Sequence, residues 1–167
     1  WFEGRGPAYG PSGDFGIIRK DWSTRPSFTA LQTMTKLLGA NPKRIGWLDP
    51  TGRSYGFVFQ GAAVPVLVIW ASSEKGDVVK LPGDVTVTDI AGKATTVKGG
   101  SDLKLTRVPI FVTGLPEKTV AEAKGNLEKP FPWLKDFSQA ETVSCQMGQA
   151  NVEAGVTQNE GGDGKTV

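Results

Sequence analysis

The chain has 167 residues, 22% charged and 38% hydrophobic, which suits one ordinary globular domain or two small ones. A formal net charge of +2, with Lys and Arg scattered along the chain, gives no electrostatic footprint for a phosphate backbone, so nucleic acid is not an expected partner. The absence of His and the single Cys145 exclude an intrachain disulfide and, within this chain, the Ser-His and Cys-His routes to nucleophilic catalysis.

The chain opens on Trp1-Phe2-Glu3 with no initiator Met, as if a preceding segment were missing. Trp1 and Phe2 fit the end of a buried strand. Gly4 to Gly16 holds five Gly and two Pro and reads as an irregular loop. After the short apolar piece Phe15-Gly16-Ile17-Ile18 and the polar turn Arg19-Lys20-Asp21 comes the clearest helix signal. Ser23 or Thr24 is placed to cap it, and Pro26 fits its first turn, where a missing N–H costs nothing. Phe28, Leu31, Met34, Thr35 and Leu38 recur at three- and four-residue spacing, giving one apolar stripe in which Phe28 and Met34 are expected in the core. Gly39 and Pro42 end the helix.

From Arg44 the hydrophobic period changes to two. Arg44–Leu48, Ser54–Gln60, Val64–Ala71, Asp77–Leu81, Asp84–Asp89, Ala94–Val97, Leu103–Thr106 and Val108–Val112 are the predicted strands. Val64–Ala71 is apolar on both faces, as in a central strand covered on each side. In Asp84–Asp89, Val85 and Val87 point inward and Thr86 and Thr88 outward, and Asp89-Ile90-Ala91-Gly92 has the pattern of a type I turn. About eight short strands separated by turn signals predict an antiparallel β-sandwich preceded by one amphipathic helix, a mainly β fold. The longest apolar run, Ala62–Ala71, is too short to span a bilayer, so no membrane partner is expected.

Beyond Gly114 the texture loosens. Pro116 to Trp133 is charged and carries proline, with a short helix predicted around Val120–Lys124. Glu141–Val156 resumes weak alternation, and Gln158–Val167 is rich in Gly and Asp. The expected organisation is therefore 1–40 as a strand-loop-helix, 41–115 as the sandwich, 116–140 as a linker or strap, and 141–167 as the start of a further β-module or a tail.

The stretch Asp14-Phe15-Gly16-Ile17-Ile18-Arg19-Lys20-Asp21-Trp22-Ser23-Thr24-Arg25-Pro26-Ser27-Phe28-Thr29-Ala30-Leu31 resembles the phrase that joins the eighth strand to the eighth helix in clan A glycoside hydrolases. Val66-Leu67-Val68-Ile69-Trp70, Leu81-Pro82 and Val85-Thr86-Val87-Thr88-Asp89-Ile90-Ala91-Gly92 are similar to strands of the C-terminal β-sandwich in many of those enzymes. The resemblance covers roughly residues 1–114. It implies the end of a (β/α)8 barrel followed by a sandwich that buttresses it, in a secreted, extracellular or periplasmic protein. It further implies an oligosaccharide or polysaccharide partner, reached through the parent enzyme, and a second partner in the missing part of the barrel. The family's catalytic carboxylates belong to the fourth and seventh barrel strands, which have no counterpart here, so no catalytic residue is carried over.

Glycosidases need two carboxyl groups at a fixed separation, one with a raised pKa. The candidates are Glu3, Asp14 and Asp21, of which Glu3 alone falls where the mouth of a barrel strand would lie. Glu3 is a candidate hydrogen-bond partner for a sugar hydroxyl and Trp1 a candidate stacking platform. The alternative is a loop carboxylate paired with Arg5 and a Trp packing the rim. Gly4-Arg5-Gly6 lacks the spacing of a phosphate loop, and Asn159–Gly164 does not match a calcium loop, so neither a cofactor nor a metal is expected. Trp47, Tyr55, Phe57, Phe59 and Trp70 form either an aromatic sugar platform or, the preferred reading, sandwich core. Cys145 reads as a half-buried strand residue, since Ser144 and Gln146 offer it no base. The expected function is the non-catalytic C-terminal part of a glycoside hydrolase. The alternatives are a stand-alone carbohydrate-binding β-module and a structural spacer or adhesion domain.

Overall fold

The computed structural model describes residues 16–19, 21–131, 142–147, 150–158 and 164–166. The chain divides into two compact units at the Lys129/Pro130 boundary.

The first unit is a β-sandwich-like fold of eight antiparallel strands in two sheets with two helices. Helix α1 spans Pro26–Leu38, and the strands are β1 (Lys43–Leu48), β2 (Ser54–Gln60), β3 (Pro65–Ala71), β4 (Asp77–Lys80), β5 (Val85–Thr88), β6 (Ala94–Val97), β7 (Asp102–Leu105) and β8 (Ile110–Thr113). Six of them form one sheet in the order β1-β2-β3-β8-β5-β6, and β4 pairs with β7 in the other. The predicted strands therefore form, with boundaries shifted by one or two residues.

Alternation decides what each face of the large sheet does. Val58, Leu67, Ile69 and Val112 point to one face and have no exposed surface. Val79 and Leu105 of the small sheet, with Leu81, close over them to make the core. Val85 is buried in that core and Val87 packs against it, as the sequence predicts. A buried aliphatic side chain contributes roughly 1.5–3 kcal/mol relative to an exposed one, so this face supplies most of the stability of the unit.

Helix α2 (Glu117–Gly125) lies against β1 and is longer than the sequence signal. Its close approach depends on Gly46, because a Cβ there would run into the backbone carbonyl of Ala123. Three hydrogen bonds then tie the segment down: Arg44 Nη2 donates to Leu127 O at 2.9 Å, Asn126 Nδ2 to Trp47 O at 3.2 Å, and Trp47 Nε1 to Lys129 O at 3.2 Å.

In the second unit, β9 (Thr142–Met147), β10 (Ala150–Gln158) and β11 (Gly164–Thr166) form an antiparallel sheet in the order β11-β10-β9. Cys145 lies on β9 in register with Val152, so its assignment to a strand holds.

No described helix is long and apolar enough to cross a membrane.

Candidate functional site

Helix α1 starts without the side-chain cap expected from Ser23 or Thr24. Arg25 is its N-cap residue, with extended backbone and no side-chain hydrogen bond, and Pro26 opens the first turn. Ser23 is occupied elsewhere, because its hydroxyl donates to Asp21 Oδ1 at 2.7 Å and its N–H donates to the same oxygen at 3.0 Å. The turn Arg19–Ser23 is closed by Arg19 N–H donating to Ser23 O at 2.8 Å, and it holds Trp22 at φ +67 with 68% of its surface exposed. At the other end Gly39, at φ +80, donates its N–H to Thr35 O. Ala62 N–H, in the β2–β3 connection, donates to Leu37 O at 3.0 Å and anchors the helix end to the sheet.

The second face of the large sheet lies beside α1. On β2, Tyr55, Phe57 and Phe59 alternate with the buried Ser54, Gly56 and Val58, so the aromatic rings point away from the core. They stand opposite Trp70, Val68 and Val66 of β3 in register. Tyr55 stacks on Trp70 with ring centroids 5.3 Å apart and planes 26° from parallel, and Phe57 meets the same indole at 5.8 Å and 42°. Such offset contacts are worth about 0.5–1.5 kcal/mol each beyond the area they bury.

Between this aromatic face and α1 runs an open groove of about 530 Å³. Leu31, Met34 and Leu38 form its helical wall, and Phe57, Phe59 and Trp70 are among the sheet residues that form its floor. Ser27 is the one lining residue with a hydroxyl among the described residues. Two expectations are corrected here. Phe57, Phe59, Tyr55 and Trp70 are not interior residues of the sandwich but half-buried residues of its opposite face. Met34 is not a core residue either: it is 40% exposed and lines the groove, while the buried residue of α1 is Thr33. Phe28 is half-buried. The cause is geometric, since period-two alternation separates the faces of a strand without saying which one is sealed. Trp47 stands opposite Phe57 in register and so shares this face, but on the edge strand β1 it lies outside the groove, and its indole N–H donates to the Lys129 carbonyl.

As a sugar platform the aromatic face is poorly composed. Its rings pack on one another, and saccharide recognition needs convergent hydrogen-bonding groups that the groove walls do not supply.

The candidate substrate residues Trp1 and Glu3, together with Arg5, Asp14, the Gly4-Arg5-Gly6 loop and Asn159–Asp163, lie outside the described residues. Asp21 is exposed, and hydrogen bonding, foremost from the Ser23 hydroxyl, holds its carboxyl below the usual carboxylate range. It stays ionised at neutral pH and serves the turn, the opposite of what a general acid requires. No group of three or more metal-ligating side chains is found among the described residues. Comparison of the sequence with known family models and with curated proteins gives no match to either.

Proposed function

We propose that this chain is the C-terminal, non-catalytic part of a glycoside hydrolase, in which the β-sandwich buttresses the catalytic barrel. The observation that carries this reading is the apolar groove along α1. The helix follows a phrase that resembles the last strand-to-helix passage of a clan A barrel, and its apolar stripe stands beside an aromatic sheet face. A helix of 13 residues gains most of its stability from packing rather than from propensity, and this one leaves Met34 substantially in water. Barrel helices laid beside α1 would cover the same stripe and the same rings. The sandwich would then act mechanically, with sugar chemistry confined to the barrel and, at most, the Trp1 and Glu3 loop. An extracellular or periplasmic location and an oligosaccharide substrate belong to the same proposal.

The test is to determine the coding sequence upstream of the Trp1 codon and to assay the encoded polypeptide on aryl glycosides. The expected result is a barrel with carboxylates at the ends of its fourth and seventh strands and hydrolytic activity that both carboxylates are needed for. An upstream sequence without a barrel, or with no such carboxylates, overturns the proposal.

A further inference from the structure

The wall that α1 presents to the apolar groove repeats at the spacing of paired helices. Ser27, Leu31, Met34 and Leu38 follow one another at intervals of four, three and four residues, and all four line the groove. This is the 3.5-residue period at which one helix packs along another, so the occupant that the wall fits is an α-helix. Ser27 and Ala30 keep the first half of the wall low, which lets a second backbone come close.

A knob precedes the same helix. Trp22 is 68% exposed, more than any other large apolar side chain among the described residues, and it holds their one positive φ outside glycine. Its turn is pinned in that conformation. Trp22 N–H donates to Arg19 O at 3.0 Å, Arg25 N–H to Ile17 O at 3.0 Å, and Arg19 Nη1 to Thr24 O at 2.8 Å. An indole presented on a fixed backbone is suited to anchor an interface, because little freedom is lost when it docks.

We propose that α1 of a second copy of this chain docks in the groove, antiparallel about a twofold axis, with the Trp22 indole of each copy entering the other's groove beside Leu38. The 13 residues of α1 make it about 20 Å long, and Trp22 lies just before its first turn. Antiparallel pairing therefore brings each indole to the far end of the partner helix. One symmetry operation then matches seam to seam and knob to groove, the self-complementarity that a twofold dimer requires. Charge permits the approach, since the seam is uncharged and a net charge of +2 repels a second copy only weakly. A helix of this length and one indole cover roughly 400 Å² per copy, and the total falls short of the ~1,000 Å² of a stable interface. The dimer is accordingly weak, absent at a few micromolar and populated toward millimolar concentration. The inference shares with the proposed function the use of the α1 groove as a packing surface. In a longer polypeptide whose barrel fills that groove, the second copy is excluded.

The test is sedimentation velocity on residues 1–167 from about 5 μM to about 1 mM, the range in which so small an interface associates. The weight-average mass should rise from 17.8 kDa toward twice that value. Trp22→Gly removes the ring and suits the positive φ, so it should weaken association about tenfold without lowering the melting temperature. Met34→Lys puts a charge into the seam and should abolish association. Val78→Lys, on the exposed side of β4, should leave it unchanged. A mass of 17.8 kDa at every concentration overturns the proposal. So does association that survives both Trp22→Gly and Met34→Lys, or that grows beyond the dimer. The proposed function is read from the upstream sequence and its hydrolytic activity, so either can fail while the other stands.

Discussion

The two faces of the six-stranded sheet are built from the same strands and have opposite consequences. Toward the small sheet, Val58, Leu67, Ile69 and Val112 are sealed against Val79 and Leu105. Toward α1, Phe57, Phe59, Val68 and Trp70 sit one residue out of phase with them and line an open groove. The larger side chains lie on the open face and the smaller ones in the core. Apolar size alone therefore does not mark the interior of this fold. One face is sealed into the core and the other is left open beside α1.

That contrast breaks most readily at Leu67. Replacing it with Ala removes a fully buried side chain from the middle of the central strand, and urea unfolding should show a loss of about 2–5 kcal/mol. A loss below about 1 kcal/mol would mean that the core face is not the stabilising one. Gly46→Ala comes next. The new methyl group collides with the Ala123 backbone, so α2 must shift off β1 at a cost of about 1–3 kcal/mol. The chemical shifts of Ala123 and Asn126 should move with it, and unchanged shifts would contradict the close approach.

On the open face the same kind of truncation should matter less. Phe59→Ser removes a half-buried ring, and the expected loss is about 1 kcal/mol, near half the value for a fully buried apolar side chain. It should also reduce the fluorescence of an apolar dye bound in the groove, whereas Leu67→Ala should not do so in the folded state. Equal destabilisation by the two substitutions would erase the distinction between the faces.

The smallest effect concerns Asp77, at the start of β4. Its side chain is 8% exposed, and its Oδ1 accepts the Val78 N–H at 2.8 Å. The Thr51 hydroxyl is the main cause that holds its pKa below the usual value, with the Val78 amide and Arg53 adding to it. Because folding lowers this pKa, the stability it contributes is complete above the unfolded value near about 4 and is lost as pH falls through the lower folded value. Asp77→Asn should therefore be less stable than the parent at pH 7, and the difference should vanish in strong acid. A difference independent of pH would contradict the assignment.

Much of this architecture was legible from spacing alone. Pro26, the stripe at Leu31, Met34 and Leu38, and Gly39 mark α1 to within a residue of its observed ends. Val85 and Val87 point inward as their alternation requires. The apolar character of β3 on both faces was read as two covered sides, whereas Val68 and Trp70 on the side toward α1 line the open groove. What was not legible depends on partners far away in sequence. Gly46 is needed by Ala123, 77 residues later, and nothing near Gly46 records it. Ser23 has the chemistry of a cap but is taken by Asp21, so a competing local bond displaced it. Thr86 and Thr88 were read correctly as pointing away from the core, yet sequence alone could not show that α1 would lie across from them. The candidate sites divide in the same way. The aromatic residues were identified as a set, but their face was not, because alternation fixes relative phase and not the direction of the interior.

The central claim is the proposal that further polypeptide of a glycoside hydrolase covers the α1 groove. Hydroxyl-radical footprinting tests it by comparing residues 1–167 alone with the whole gene product. Labelling of Met34, Phe59 and Trp70 should fall several-fold in the longer polypeptide, while that of Val78, which is 47% exposed and does not line the groove, should not change. Equal labelling of Met34 and Phe59 in the two proteins would contradict the account.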